Sequence, residues 1–430
     1  MQFSRGLLID LTPFRTSPAF ARMWIGSALS GIGGQLTVVT VMLHVFDLTG
    51  STFAVSMIAV AGLLPMILAG LYGGMLADAF DRRRLALVSA TIAFAATALL
   101  AALTWTHAES IWWLYALSMT IAAANSVGMA TRTAIVPRLI PLDQLAAASA
   151  LNGISFGLTV MVGPAVAGML VALTGFGWTY TIDVILMLSM FLGLWTLPAL
   201  RPEGTIVRPG LASLVDGWRF LRRAGNIRMQ YLLDVTAMTF GQPLALFPAL
   251  GTVLLGGGAI TTGILTAAVA VGTFACSLFS GRIVHYRWHG QGIVRAVQAY
   301  GAAIALFGIV LLLGVFLPTA SEDAPHIALI VAACVALALS GAADNVSSIY
   351  RNTMMQAAVP DTMRGRLQGI FIIVVAGGPR IGALYAGALA TLTSLWFPPL
   401  LGGFLVIGVA AMLSRLNPRF RGYDALNPTA

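Results

Sequence analysis

Lysine is missing from the chain: each of its 24 basic residues is an arginine. With abundant Ala and Gly, this reflects a GC-rich genome more than a binding chemistry. It also removes the Gly-rich loop with Lys that cradles nucleotide phosphates, so ATP is not the expected energy source. Charge of either sign is scarce. Only 9% of residues are charged, against about 25% in soluble domains, which excludes a soluble globular protein. Cysteine is nearly absent too. Cys276 and Cys334 both lie in apolar runs and read as small core residues, not as a disulfide or a metal pair. His44, His285 and His289 show no ligand spacing with acids or cysteines, so neither a metal nor any other cofactor is expected. No nucleophile elbow occurs, and the chain is not read as an enzyme.

What remains is apolar: 58% of the 430 residues are hydrophobic and the mean hydropathy is +0.90. This composition belongs to a polytopic membrane protein with room for about a dozen spans of about 20 residues each. The runs lack the alternation of barrel strands, so the fold class is all-α. A net charge of +9 would suggest nucleic acid in a soluble protein, but here the placement of the charges argues for a bilayer and against a nucleic-acid partner. Met1 to Phe20 carries Asp10, Pro13, Arg15 and Pro18, which interrupt any signal-peptide core. The first span is expected to act as its own insertion signal.

The chain is organised around Gly73 to Arg84, a charged hinge between two apolar runs that ends in Arg82-Arg83-Arg84. Arginine costs about 2.5 to 3.5 kcal/mol at the centre of an inserted helix, so this triplet holds both helix ends at the cytoplasmic face. Spans 1 to 6 are read at about 19–46, 53–76, 85–105, 111–130, 145–173 and 180–198, with Pro137 and Pro141 breaking helix after span 4. The polar stretch 199–228 follows. In it Leu211, Leu214, Val215, Trp218 and Leu221 form one stripe of a helix lying in the membrane plane, with Arg219, Arg222 and Arg223 off it. Spans 7 to 12 are read at about 229–250, 261–281, 294–317, 327–350, 366–392 and 399–413. On this map every arginine except Arg380 falls on the side of the hinge. The positive-inside rule then puts both termini in the cytoplasm of a multi-pass protein.

The two groups of six are similar to each other. A shift of 219 residues superposes Arg132 on Arg351, Pro141 on Pro360, Gly163 on Gly382 and Ala167-Gly168 on Ala386-Gly387. Parallel repeats of this kind place a substrate site near the midplane between two bundles. The organisation expected is an N-terminal six-helix bundle at 1–198, a cytoplasmic linker at 199–228 and a C-terminal bundle with its tail at 229–430.

Four stretches resemble the major facilitator superfamily, and within it the branch of enterobactin exporters and related bacterial efflux carriers. They are Thr16-Ser17-Pro18-Ala19-Phe20, the hinge, Phe240 to Leu250 with Pro243 and Pro248, and Gln356 to Arg366 leading into span 11. The resemblance implies twelve helices in two pseudo-symmetric bundles. It also implies export of a small molecule from the cytoplasm coupled to proton entry, and a location in the bacterial inner membrane. It further implies that the hinge latches the cytoplasmic side, with Asp78 facing the N-terminal end of span 11, where a helix dipole favours an anion. The gate residues are then Gly74, Asp78, Arg82, Arg83, Arg364 and Arg366. There are departures. The drug/proton exporters' Gly-Pro-x-x-Gly-Gly motif is kept only in part at Gly163 to Gly168, span 4 lacks an Arg those exporters use, and Gly33-Gly34-Gln35 stands where many relatives carry an Asp.

Charge inside the spans marks the candidate chemistry. Arg380 lies fourteen residues after Arg366, about 21 Å along a helix. It must face water, a carboxylate or a substrate anion, and its planar fork suits an acidic or catecholate-like compound. The alternative is a structural ion pair to a buried Asp. Asp183, Asp234 and Asp344 are the acids that could carry a proton. Asp344 precedes Arg351 by two helical turns and could instead belong to a cytoplasmic polar cluster. Gln35, Asn125, Asn152 and Gln242 extend the possible substrate cavity, and Asn345 could join them or simply tie helices together.

The sequence therefore reads as a secondary transporter, expected to be monomeric, that exports a small organic molecule by alternating access with proton antiport. A broad drug exporter and a non-transporting scaffold or receptor are the alternatives. The topology is checked by replacing both native cysteines and labelling single-cysteine variants in whole cells with a membrane-impermeant maleimide. Ser51→Cys should label from outside, and Asp81→Cys only after the membrane is opened.

Overall fold

The computed structural model describes residues 11–141, 144–198, 218–278, 286–321, 324–359 and 361–427, without the side chains of 71, 74, 75, 77, 78, 146, 150, 356 and 361–376. The described elements are helical. The principal helices are α1 (Thr12–Thr16), α2 (Pro18–Thr49), α3 (Thr52–Ala79), α4 (Arg82–Trp105), α5 (Ile111–Leu139), α6 (Leu145–Trp195), α7 (Gly225–Phe240), α8 (Gly258–Leu278), α9 (His289–Val315), α10 (Ile327–Ala358), α11 (Asp361–Leu392), α12 (Phe397–Leu416) and α13 (Pro418–Arg421). Among the described residues nine helices are long and apolar enough to cross a membrane. Hydrocarbon offers no partner for backbone N–H and C=O groups, so long apolar runs close their hydrogen bonds internally as helices.

Several boundaries differ from the sequence reading, each for a local reason. Pro137 does not break its helix: α5 continues through it to Leu139. A proline that close to a helix end removes only one of the final bonds. The stop comes at Ile140, which is extended (φ −133°, ψ 150°), as the residue before Pro141 must be. Asp81 starts α4 three residues earlier than expected, because its side chain caps the helix by accepting from the Arg84 N–H at 3.2 Å. In α6 the chain runs helically from Leu145 to Trp195 except at Gly175, whose φ of +80° only glycine adopts readily. Span 7 is not one helix. After Phe240 it passes through Gly241–Pro243 into a 3-10 turn (Leu244–Leu246), a short turn (Phe247–Ala249) and a π turn (Leu250–Leu254). Pro243 and Pro248, without N–H donors, forbid a regular ladder there. Of the linker stripe, Leu211, Leu214 and Val215 lie outside the described residues. Trp218 is exposed, and Leu221 is buried in the core with Ile227 and Tyr231.

The contacts divide the chain into two compact units, Met1–His44 with Leu64–Arg208, and Val45–Leu63 with Pro209–Ala430. In the first, a core of Phe20, Met23, Ala86, Ile135, Leu151 and Leu194 joins α2, α4, α5 and α6. In the second, two cores lie along the bundle. One is built around Tyr231, Tyr300, Tyr350 and Val406, the other around Phe247, Phe307 and Leu337. The second unit also holds the Thr52 hydroxyl, which donates to the Gly387 carbonyl at 3.0 Å. At its end Arg287 makes a two-pronged bond to Asp424 (2.9 and 2.7 Å), and that guanidinium holds the Asp424 carboxyl well below the usual carboxylate range.

Glycine governs the closest helix contacts in the second unit. A side chain at Gly272 of α8 would strike the Ala338 carbonyl of α10, and one at Gly341 of α10 would strike the Val269 carbonyl of α8. The two backbones therefore approach through reciprocal glycines, the small-residue packing of helices in lipid. Overpacking of this sort costs about 1–3 kcal/mol. Gly272→Val should lower the melting temperature of detergent-solubilised protein, whereas Gly408→Ala, where nothing lies within 4 Å, should leave it unchanged.

Candidate functional site

Two of the acids singled out in sequence meet at one arginine. Asp344 and Arg351 sit two turns apart on one face of α10, and Arg351 Nη2 donates to Asp344 Oδ1 at 3.3 Å. Its other terminal nitrogen, Nη1, donates to Asp234 Oδ1 on α7. Asp234 is buried and the Asp344 side chain partly open. The trio of one guanidinium and two carboxylates carries a formal charge of −1. The Asp344–Arg351 contact follows from helical spacing; the reach to Asp234, 117 residues away, has no local signal.

Asp183 stands differently. It belongs to the first unit, on the part of α6 after Gly175, and is 1% exposed. Its Oδ2 accepts from the Thr37 hydroxyl of α2, while Oδ1 has no hydrogen-bond partner among the described residues. Gly33 of α2 faces that oxygen, and a methyl at Gly33 would collide with it. Gly33, Thr37, Thr40 and His44 recur at helical spacing along one face of α2. His44 Nδ1 lies 3.3 Å from the Tyr180 hydroxyl, and its ring stacks on Phe176 at 4.3 Å. One glycine, two hydroxyls and an imidazole thus form a narrow polar seam against α6.

A half-buried arginine lies in the same unit. Arg132 of α5 lines a small cavity with Ser30, Ser89, Asn125, Met187 and Met190. The 219-residue shift superposes Arg132 on Arg351 and Asn125 on Asp344. The first unit therefore carries an amide where the second carries an acid. Arg132 was read only as part of the cytoplasmic arginine set, although its match to Arg351 was the signal that could have singled it out.

The other sequence candidates are dispersed. Gln35 packs against Gly163 of α6, and Gln242 packs against Gly382 of α11. Asn152 is exposed on α6. Asn345 ties α10 to α8 through the Thr273 carbonyl (3.0 Å) and the Ser277 hydroxyl (2.8 Å). Arg380 is half-buried on α11.

Among the gate residues, Arg82 Nη1 donates to the Ala134 carbonyl at 2.9 Å and Arg83 Nη2 to the Trp195 carbonyl at 2.7 Å. Both bonds run to carbonyls in the last turns of α5 and α6, where the helix dipole is negative. Gly74 and Asp78 fall in the last turns of α3 and Arg364 and Arg366 in the first turns of α11; their side chains lie outside the described residues. Among the described residues no cluster of three or more His, Cys, Asp or Glu could hold a metal.

Removing Arg351 would leave two acids without their cation, a change that costs about 3–5 kcal/mol for a buried pair. Arg351→Met should lower the melting temperature and the folded yield, and Asp234→Asn in the same chain should restore part of both. A double-mutant cycle of thermal unfolding measures the coupling.

A family described as transmembrane secretion effectors matches residues 9–429. The chain is 28% identical over 413 residues to the enterobactin exporter EntS of Shigella boydii serotype 18, covering 94% of each. The same figures hold for EntS of Escherichia coli O139:H28. Among solved structures it resembles a POT family transporter in complex with 5-aminolevulinic acid (TM-score 0.74, 11% identity, 94% of this chain and 97% of that one). It also resembles a D-xylose–proton symporter (TM-score 0.68, 13% identity, 94% and 98%). The chain belongs to the transmembrane secretion effector family of the major facilitator superfamily, and is a multi-pass membrane protein similar to the enterobactin exporters.

Proposed function

We propose that this protein is a secondary active exporter that moves a small anionic or amphipathic organic molecule, of the siderophore kind, out of the cytoplasm in exchange for protons. The observation that carries this reading is the match to enterobactin exporters along 94% of both chains. In this reading the protein has twelve spans in two six-helix bundles, 1–198 and 229–430, joined by the cytoplasmic linker 199–228. Both termini are cytoplasmic, because the arginines gather on one side of the bilayer. It lies in the inner membrane, works as a monomer by alternating access, and needs no cofactor.

Substrate recognition is assigned to Arg380 and Gln242 in the second unit and to Gln35, Asn125 and Asn152 in the first. A guanidinium fork on α11 suits a planar oxyanion. Asp183, Asp234 and Asp344 are the acids from which the proton-coupling group is drawn. Gly74, Asp78, Arg364 and Arg366 form the cytoplasmic latch, with Arg82 and Arg83 anchoring its first half to the ends of α5 and α6. A broad drug exporter is the second reading, distinguished by whether Arg380 gives a preference for anions over lipophilic cations.

Deleting the gene should cause a catecholate siderophore to build up inside cells grown without iron, and not in iron-replete cells. Equal secretion by the deletion strain would remove the siderophore assignment. In proteoliposomes, Arg380→Ala should reduce enterobactin transport at least tenfold while a lipophilic cation, if moved at all, is unaffected. Equal loss for both would favour the drug exporter.

A further inference from the structure

The buried acids fall into two kinds. Asp234 and Asp344 share the one Arg351 guanidinium, so each has a cation beside it although the trio keeps a net charge of −1. Asp183 has no cationic partner among the described residues. Its surroundings are the Thr37 hydroxyl, Leu186 and the bare Cα of Gly33. A lone carboxylate in such a place persists only by binding a cation or a proton, because an uncompensated buried charge is prohibitively costly. Hard metal cations take about six oxygen ligands, and the site offers two side chains. The ligand it fits is a proton.

The charged and titratable groups around Asp183 are few. From α2 come Thr37 and His44, and its own helix adds Tyr180, one turn away. The face of α4 offers Ser89 and Thr97, and no titratable residue lies between Leu85 and Trp105. From α5, Asn125 and Arg132 line the small cavity that Met187 and Met190 share, one to two turns beyond Asp183. In the loop between α4 and α5, Glu109 has a buried Oε2 without a hydrogen-bond partner among the described residues.

We propose that Asp183 is the proton-binding acid of this carrier and that Gly33 is the notch that accommodates its free oxygen. The proposal rests on the proton-antiport reading above and names the group that performs it. A hydronium ion gives up a proton, leaving water. One O–H bond forms on Asp183 Oδ1, and the acid is neutral while it is buried. Opening to the cytoplasm breaks that bond and returns the proton to water. Thr37 donates to the other oxygen in both states.

The test uses the full-length protein in lipid nanodiscs. Infrared difference spectra between acid and alkaline pH should contain a neutral-carboxyl C=O band. That band should vanish in Asp183→Asn and persist in Asp234→Asn. In Thr37→Val, which keeps the acid, it should persist but move to higher wavenumber as the hydrogen bond to the carbonyl is lost. A titrating band that survives Asp183→Asn overturns the proposal, as does one unmoved by Thr37→Val. In proteoliposomes loaded with enterobactin, wild-type efflux should accelerate at least tenfold with an acid exterior, and Asp183→Asn should lose that acceleration. If the variant keeps it, the proposal falls and the exporter reading stands. If wild type moves no enterobactin, the siderophore reading falls, and the infrared bands still decide Asp183.

Discussion

A charge placed in hydrocarbon must be compensated by an opposite charge, by hydrogen bonds or by water, and this constraint orders the whole chain. It sends nearly all the arginines to the ends of helices. There Arg82 and Arg83 bond the Ala134 and Trp195 carbonyls, the second of them a backbone group that a helix end leaves open. The triplet that fixes topology thus also fastens α4 to α5 and α6. The few charges that remain inside must then be compensated individually, and the two units do so in different ways.

In the second unit compensation is ionic. Asp234 and Asp344 gather on Arg351, and removing that cation is far costlier than the net worth of the set. In the first unit Arg132 lines a small cavity with Asn125, the amide that the 219-residue shift superposes on Asp344, and Asp183 sits elsewhere with a hydroxyl and a glycine. The second unit thus gathers two acids on one arginine, while the first keeps its arginine and Asp183 apart.

Much of this was legible in the sequence because it depends on periodicity and solvent. Apolar runs of bilayer length gave the helical class and the multi-pass character. The Asp344–Arg351 contact was readable because both lie on one helix. What was hidden depends on approach between distant segments: Asp234 reaching Arg351, Thr37 reaching Asp183, and Gly33 yielding space to a carboxylate. Gly33-Gly34-Gln35 looked like the loss of an acid. Only the packing of α2 on α6 turns that glycine into room for an acid supplied from another helix. Local departures are also physical: α5 continues through Pro137, and two prolines within six residues keep span 7 from forming one helix.

The glycine at position 33 links packing to chemistry. Elsewhere glycines such as Gly272 and Gly341 let two backbones touch, and a side chain there would meet a carbonyl that cannot move. At Gly33 the neighbour is a side-chain oxygen on a rotatable bond, so the space is set aside for a group that can change state. A neutral acid and a carboxylate have nearly the same volume but differ by a full charge. A notch that fits both leaves the difference to electrostatics alone, and a carrier could use that difference to couple a proton to a change of conformation. Stability and transport then draw on different glycines of the same fold. Helix-packing glycines hold the bundles together, and the one beside Asp183 keeps an acid buried without a permanent partner.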